Sequence, residues 1–282
     1  MSKVAVVGAG TMGNGIAHVF AQHGWDTALI DVSEQALAGG LAAIGKNLER
    51  LEKKGVIGHQ LSVDTLGRIK TSTSLDAAKD SELVIEAVSE KPDIKFEVFA
   101  ALRRLTPPDT ILASNTSSIS ITELAKCTDR PGKVIGMHFM NPVPLMPLVE
   151  VVKGIETLPG TTARVVEVAK ELGKTPVEVN DAPGFVSNRV LMPMINEAIL
   201  CVQEGIATAE AVDQVMTLGM KHPLGPLALA DLIGLDVCLA ILEVMVEGFA
   251  DPKYRPARLL KEMVASGRLG RKSGVGFYVY RD

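Results

Sequence analysis

Cysteine is scarce in this chain of 282 residues: Cys127, Cys201 and Cys238 are the only three, far apart and without metal-ligand spacing. They read as buried, reduced thiols, which fits a reducing compartment and leaves no metal site to expect. Aromatics are as sparse, with three Tyr, one Trp and seven Phe. That excludes an aromatic stacking platform for nucleic acid. An excess of charge of one sign is missing too. The formal net charge is −4, so neither nucleic acid nor an anionic membrane is expected as a partner. No run reaches the roughly 18 apolar residues of a membrane span. An apolar strand starts at Lys3, which leaves no room for a signal or transit peptide. These absences together predict a cytoplasmic protein. Internal repeats and low-complexity tracts are also lacking.

What is present is ordinary globular material. Hydrophobic residues make up 47% and charged residues 22%, enough core for one large domain or two ordinary ones. The first half alternates. KVAVVG (3–8), TALID (27–31), LVIEAV (83–88), TILAS (110–114) and KVIGMHF (133–139) are short apolar runs that read as strands. Between them lie helical stretches at 11–23, 33–54, 92–105 and 121–126. In the second of these, Leu37, Leu41, Ile44, Leu48 and Leu51 recur at helical spacing. Strands alternating with helices imply crossover connections and a parallel, doubly wound α/β sheet of the Rossmann type. Apolar strands of this kind suit a sheet covered on both faces.

The pattern changes after Asn180. DAPGFV (181–186) combines Pro and Gly and reads as a hinge, with a boundary near 182–186. Beyond it the chain reads as helices at about 185–204, 208–219, 227–249 and 256–266, with a strand-like tail, GFYVY (276–280). The expected division is a dinucleotide-binding domain over 1–183 and an all-helical domain over 184–282. The apolar length of 229–246 exceeds what about 100 residues can bury, which points to a homodimer through the helical half.

The first strand runs into Gly8-Ala9-Gly10-Thr11-Met12-Gly13, a G-x-G-x-x-G that opens a helix. A glycine hexamer alone is weak; its place between strand and helix is what a dinucleotide site requires. The first glycine makes the turn, the second admits a pyrophosphate and the third lets helix and strand pack. Asp31 ends the second strand, close to the spacing at which an acid takes the ribose hydroxyls and repels a 2′-phosphate. The cofactor expected is therefore NAD rather than NADP. The plainer reading of Asp31 is a helix cap, a task Ser33 can perform.

One stretch stands apart. MHFMNPVPLMPLVEVV (137–152) carries His138 near the carboxyl end of one strand and Glu150 within another, joined by a loop rich in proline. A carboxylate in so apolar a strand needs compensation. If the chain returns antiparallel, Glu150 passes His138. A carboxylate on one ring nitrogen holds the imidazole in one tautomer, as a general base requires. The bland alternatives are a satisfied core histidine and a solvent-facing glutamate. ASNTSS (113–118) places Asn115 and Ser117 at the same sheet edge, although both residue types also favour turns.

GAGTMGNGIA, ASNTSS, GMHFMNPVPLMPLVEVV, DAPGFVSNRV (181–190) and GRKSGVGFYVY (270–280) together resemble the L-3-hydroxyacyl-CoA dehydrogenase family over the whole chain. The resemblance is to the short bacterial members that act on 3-hydroxybutyryl-CoA. It implies NAD as cofactor, an acyl-CoA substrate and a homodimer. It implies His138 as base, Glu150 as its orienting acid, Ser117 as a contact to the substrate oxygen, and Asn188 as a substrate-binding and catalytic residue at the same site. Glu90, Lys95, Asn115 and Lys272 match positions near the nicotinamide and its ribose, and Asn141 of the proline loop is placed with them. Lys54 matches a lysine that meets CoA; it shares a helix face with Lys46, Arg50 and Lys53, whose plain reading is a solvated surface. Two other functions stay open on the residues alone: a dehydrogenase of a free hydroxy or sugar acid, and a catalytically silent NAD-binding protein.

Overall fold

The computed structural model describes residues 2–280, so residues 1 and 281–282, at the outer ends of the two expected domains, lie outside the described residues. The chain separates into two compact units, Met1–Ala182 and Pro183–Asp282. Among the described residues no helix is long and apolar enough to cross a membrane.

The first unit is built on eight strands: β1 Lys3–Val7, β2 Asp26–Ile30, β3 Ile69–Ser72, β4 Leu83–Glu86, β5 Ile111–Ser114, β6 Val134–Phe139, β7 Leu148–Lys153 and β8 Thr175–Asn180. Their order is β3-β2-β1-β4-β5-β6-β7-β8. The run from β3 to β6 is parallel throughout. β7 turns antiparallel to β6, and β8 follows β7 in parallel. The helices are α1 Thr11–Gln22, α2 Glu34–Lys53, α3 His59–Gly67, α4 Pro92–Leu105, α5 Ile121–Lys126 and α6 Pro159–Glu171. This is the doubly wound arrangement, with its switch point between β1 and β4.

The expected strands and helices of the first half are all present. β3, β8, α3 and α6 are additions. β3 (IKTS) and β8 (TPVEVN) bury only Ile69 and Val179 well. They are the two outer strands, where one partner is missing and proline is tolerated, so their apolar signal is weak. α2 starts where Ser33 accepts the Ala36 N–H at 3.2 Å, which leaves Asp31 free of the capping task.

Strand alternation sorts the interior into two faces. Val4, Val6, Leu83, Ile85, Ala113, Met137, Phe139, Val149 and Val151 pack in one apolar cluster with α1, α2 and α6. The alternate positions, among them Glu86, Ser114, His138 and Glu150, point to the opposite face. Glu86, Ser114, His138 and Glu150 therefore lie on one side of the sheet.

The second unit holds α7 Ser187–Gln203, α8 Ala209–Gln214, α9 Pro226–Ile233, α10 Leu235–Phe249 and α11 Arg258–Ala265. Two expected helices differ. The segment 227–249 breaks at Gly234, whose φ of 106° no ordinary helical residue adopts, and Leu235 N–H turns to Leu269 O at 3.2 Å. The segment 208–219 ends as a π-helical turn over Val215–Gly219. The tail 276–280 is not a strand. It makes only isolated bridges, because buried Asp231 accepts the N–H groups of Phe277 and Tyr278 at 3.0 Å each and the Tyr280 hydroxyl at 3.0 Å.

One buried group in α1 has a consequence for acid stability. His18 is fully enclosed, and neither ring nitrogen finds a hydrogen-bond partner. Burial pushes it down to about 4; the Gln22 side chain lies near without hydrogen-bond geometry and offsets part of that fall. Because the folded value lies below the unfolded 6.5, the neutral ring favours folding. That contribution is intact above pH 6.5 and is lost as pH falls toward 4, reaching about 3 kcal/mol. In His18→Leu, urea unfolding at pH 7 and pH 4.5 should show about 2 kcal/mol less loss of stability than in the wild type.

Candidate active site

The glycine loop joins β1 to α1 under tight constraints. Gly8 has φ 107°, and a side chain there would run into the Ala87 backbone. A Cβ on Gly13 would collide with the Gly8 carbonyl. At Gly10 the same test meets nothing within 4 Å, so the loop leaves an open approach there and only there of the three. α1 has no side-chain cap at its start, which leaves its first-turn N–H groups and its dipole turned toward an anion. Thr11 is exposed and Met12 half-buried at this end. These residues fit a dinucleotide pyrophosphate. Asp31 reaches the loop: Oδ2 accepts the Ala9 N–H at 2.8 Å and Oδ1 the Ser33 N–H at 3.0 Å. It braces the turn, and a carboxylate with about four acceptor sites keeps capacity for a ribose hydroxyl.

His138 and Glu150 stand directly opposite in the antiparallel ladder. His138 Nδ1 lies 2.8 Å from Glu150 Oε2, with both side chains buried. On the other side of the ring, Nε2 is 3.1 Å from Ser117 Oγ. An imidazole held at Nδ1 by a carboxylate presents Nε2 for proton exchange. The proline loop 140–147 between the strands is pinned from behind. Buried Lys174 donates to Val143 O at 2.6 Å and Met146 O at 2.9 Å, and Val143 closes on Gly15 of α1. Burial lowers the Lys174 ammonium below its ordinary value.

A second charged group lies between the glycine loop and Ser117. Lys95 is almost fully buried; its Nζ is 2.6 Å from Glu86 Oε1 and 3.2 Å from Glu90 Oε2. Glu90 Oε1 accepts from Thr116 Oγ1 at 2.5 Å and from the N–H groups of Ser117 and Ser118 at 2.8 and 3.1 Å. Burial pushes the Glu86 carboxyl up, against the pull of Lys95. Burial opposes ionisation of Glu90 as well, yet the Lys95 charge and the Thr116 and Ser117 donors outweigh it and hold Glu90 below the usual carboxylate range. Asn115 ties β4 to β6: its N–H donates to Glu86 O at 2.8 Å, and its Oδ1 accepts the Phe139 N–H at 2.9 Å. Glu86, Ser114, Thr116 and Lys174 escaped the sequence reading. A signal for Glu86 existed, since a glutamate inside LVIEAV is the same anomaly as Glu150 inside LVEVV.

Of the remaining expected residues, Asn141 is exposed in the proline loop. Lys54 closes α2, where it and Arg50 border a cleft walled by Leu51, Pro142, Pro144 and Leu145. Lys46 and Lys53 do not border it. Asn188 and Lys272 belong to the second unit, Asn188 in the first turn of α7 and Lys272 paired with Asp236 at 2.6 Å. Among the described residues no group of three or more His, Cys, Asp or Glu is placed to hold a metal ion.

A doubly wound sheet with this loop, this acid just after β2 and a histidine–glutamate pair at the carboxyl edge defines an NAD-dependent oxidoreductase. The family description "3-hydroxyacyl-CoA dehydrogenase, NAD binding domain" matches residues 3–182, and its "C-terminal domain" matches 184–280. The chain belongs to the 3-hydroxyacyl-CoA dehydrogenase family. It is 53% identical to a probable 3-hydroxybutyryl-CoA dehydrogenase of Bacillus subtilis over 100% of this chain and 98% of that one. It is 50% identical to the 3-hydroxybutyryl-CoA dehydrogenase of Bradyrhizobium diazoefficiens, covering 100% and 96%. The crystal structure of (S)-3-hydroxybutyryl-CoA dehydrogenase from Ralstonia eutropha superposes with a TM-score of 0.96 at 50% identity, covering 100% of both chains.

The Asp31 geometry predicts a cofactor preference. The wild type should use NADH over NADPH, and Asp31→Ala should narrow the gap in kcat/KM by roughly fivefold to tenfold, the worth of one carboxylate–phosphate repulsion near a surface. Equal use of both cofactors by the wild type would contradict this reading.

Proposed function

We propose that this protein oxidises (S)-3-hydroxybutyryl-CoA to acetoacetyl-CoA reversibly with NAD, and that His138 is its general base. The observation that carries the reading is the Ser117–His138–Glu150 array, with contacts of 3.1 and 2.8 Å, at the carboxyl edge of a dinucleotide-binding sheet. The Gly8–Gly13 loop and Asp31 would hold NAD, with Glu90 and Asn115 toward its nicotinamide, and Asn141 and Lys272 are assigned to it from the family resemblance; NAD would supply the acceptor for the hydride that leaves the carbinol carbon. His138 Nε2 takes the hydroxyl proton as that hydride leaves. Glu150 keeps the ring in place and stabilises its positive charge without taking the proton. The Ser117 hydroxyl orients the substrate oxygen beside Nε2. Asn188 is assigned to the same site from its match to the family motif. In the reverse direction the imidazolium returns the proton.

The domain roles follow the same reading: a cofactor-binding unit over 1–183 and a substrate and dimerisation unit over 184–282. Exposed Ile206, Val215, Leu218 and Met220 support a homodimer through the second unit. The cytoplasm is the compartment that free thiols and a nicotinamide reaction favour.

NADH oxidation with acetoacetyl-CoA tests the assignment. His138→Gln should lower kcat by roughly 10²–10⁴-fold with NADH affinity little changed, and Glu150→Gln should also lower it severely. Activity near wild type in either variant removes the pair from the chemistry, and equal turnover of a free 3-oxo acid removes CoA from the substrate.

The cleft beside Lys54 generates a separate expectation. CoA carries several phosphate charges, which a lysine meets as a compact point charge. Lys54→Ala should raise KM for acetoacetyl-CoA about tenfold or less and leave kcat nearly intact, as loss of uniform binding does. The defect should shrink at high salt. With a truncated thioester lacking the adenosine phosphates the variant should equal the wild type; an equal defect there means that Lys54 reads something other than phosphate.

A further inference from the structure

We infer that Glu86 is a positioning residue: through two separate hydrogen-bonded limbs it fixes residues 116–118, and so sets the Ser117 hydroxyl against His138. The catalytic consequence rests on the function proposed above; the placement of His138's neighbour does not.

Glu86 ends β4, between β1 with its glycine loop and β5 with the ASNTSS loop; its register partners are Val7 and Ser114. It is wholly buried, and its two oxygens have different duties. Oε1 accepts from Lys95 Nζ at 2.6 Å and from the Val88 N–H at 2.7 Å. Lys95 passes its remaining charge to Glu90, whose Oε1 gathers the Thr116 hydroxyl and the Ser117 and Ser118 N–H groups. Oε2 accepts from Ser114 Oγ at 2.6 Å, and that hydroxyl oxygen in turn accepts the Thr116 N–H at 3.1 Å. The first limb ends on Thr116, Ser117 and Ser118, and the second on Thr116, so the two meet at Thr116. The Glu86 carbonyl adds a third tie, to the Asn115 N–H.

A buried ion pair is weak evidence of a role in stability, because its desolvation offsets much of its attraction, and an apolar pair can fill the same space. An apolar pair could not seat Glu90 and Ser114 together. Lys95 is enclosed by this duty, so its influence on the reaction runs through Glu90 and not by contact with substrate.

Glu86→Gln leaves the size and removes the charge that divides Lys95 between two carboxylates. In that variant kcat for acetoacetyl-CoA reduction should fall about tenfold, as a small displacement of a catalytic contact does, with KM within about twofold. In a Ser117→Ala background the same change should cost little more, because the contact it serves is already gone. The His138 ring titration, followed by NMR in the protein alone, should move by about 0.4 unit or more, the worth of one disturbed hydrogen bond. Glu82→Gln, an exposed partner of Arg164, should leave it in place. If Glu86→Gln does not fold, Ser114→Ala cuts one limb by a single hydroxyl and should move both readouts in the same direction by less. A folded variant with unchanged kcat, an effect additive with Ser117→Ala, or an unmoved His138 titration overturns the inference. If the wild type does not reduce acetoacetyl-CoA, the functional reading fails, and the His138 titration alone decides the role of Glu86.

Discussion

The antiparallel pairing of β6 with β7 is the constraint from which the site follows. Five strands of the first unit's sheet run parallel to a neighbour that precedes them, and then β7 reverses. That one reversal sets Glu150 across the ladder from His138, at a distance where a carboxylate holds an imidazole. A parallel strand in the same place would have offset the two side chains along a slanted ladder. The buried glutamate is tolerable because its partner is fixed by backbone register and does not depend on side-chain freedom.

The second ordering device is the parity of the strands. Glu86, Ser114, His138 and Glu150 all occupy positions that face away from the cluster packed against α1, α2 and α6. One face can therefore be wholly apolar and supply the burial that folds the unit. The other gathers carboxylates, a lysine and hydroxyls whose charges compensate one another. A slip of one residue in β4 or β7 would bury a carboxylate among aliphatic side chains. The polar face is costly only in isolation; as built, every carboxylate on it meets N–H, O–H or ammonium donors.

Much of this was legible in the residues. The glycine loop, Asp31, the β–α alternation and the pairing of His138 with Glu150 each rest on a local rule: a turn, a spacing, or an acid where only apolar side chains belong. β3 and β8 were not legible, because outer strands bury one side chain each and carry little period. The break at Gly234 was hidden by apolar flanks on both sides, where helix continuation is the default reading. Lys95 read as a surface charge or a cofactor contact, because nothing in PDIKFE announces that its ammonium turns inward to Glu86. The Glu86–Ser114–Thr116 limb depends on neighbours brought together by sheet order, and sheet order is a tertiary fact. The cleft that Lys54 shares with the proline loop is likewise lined by segments far apart in the sequence.

The loop over residues 140–147 has a consequence for how this fold can be altered. It connects two strands whose register is set by their own ladder, and it is held by the Lys174 ammonium on two carbonyl oxygens and by buried Val143 packed against Gly15 of α1. Backbone carbonyls are supplied by any sequence. A transplanted loop that keeps an aliphatic side chain at position 143 could therefore seat on the same lysine without moving His138 or Glu150. The wall of the cleft beside α2 is in this sense a replaceable part, and the His138–Glu150 pair is not. Directed recombination of this segment among homologous chains would change what the cleft admits while leaving His138 and Glu150 in their frame.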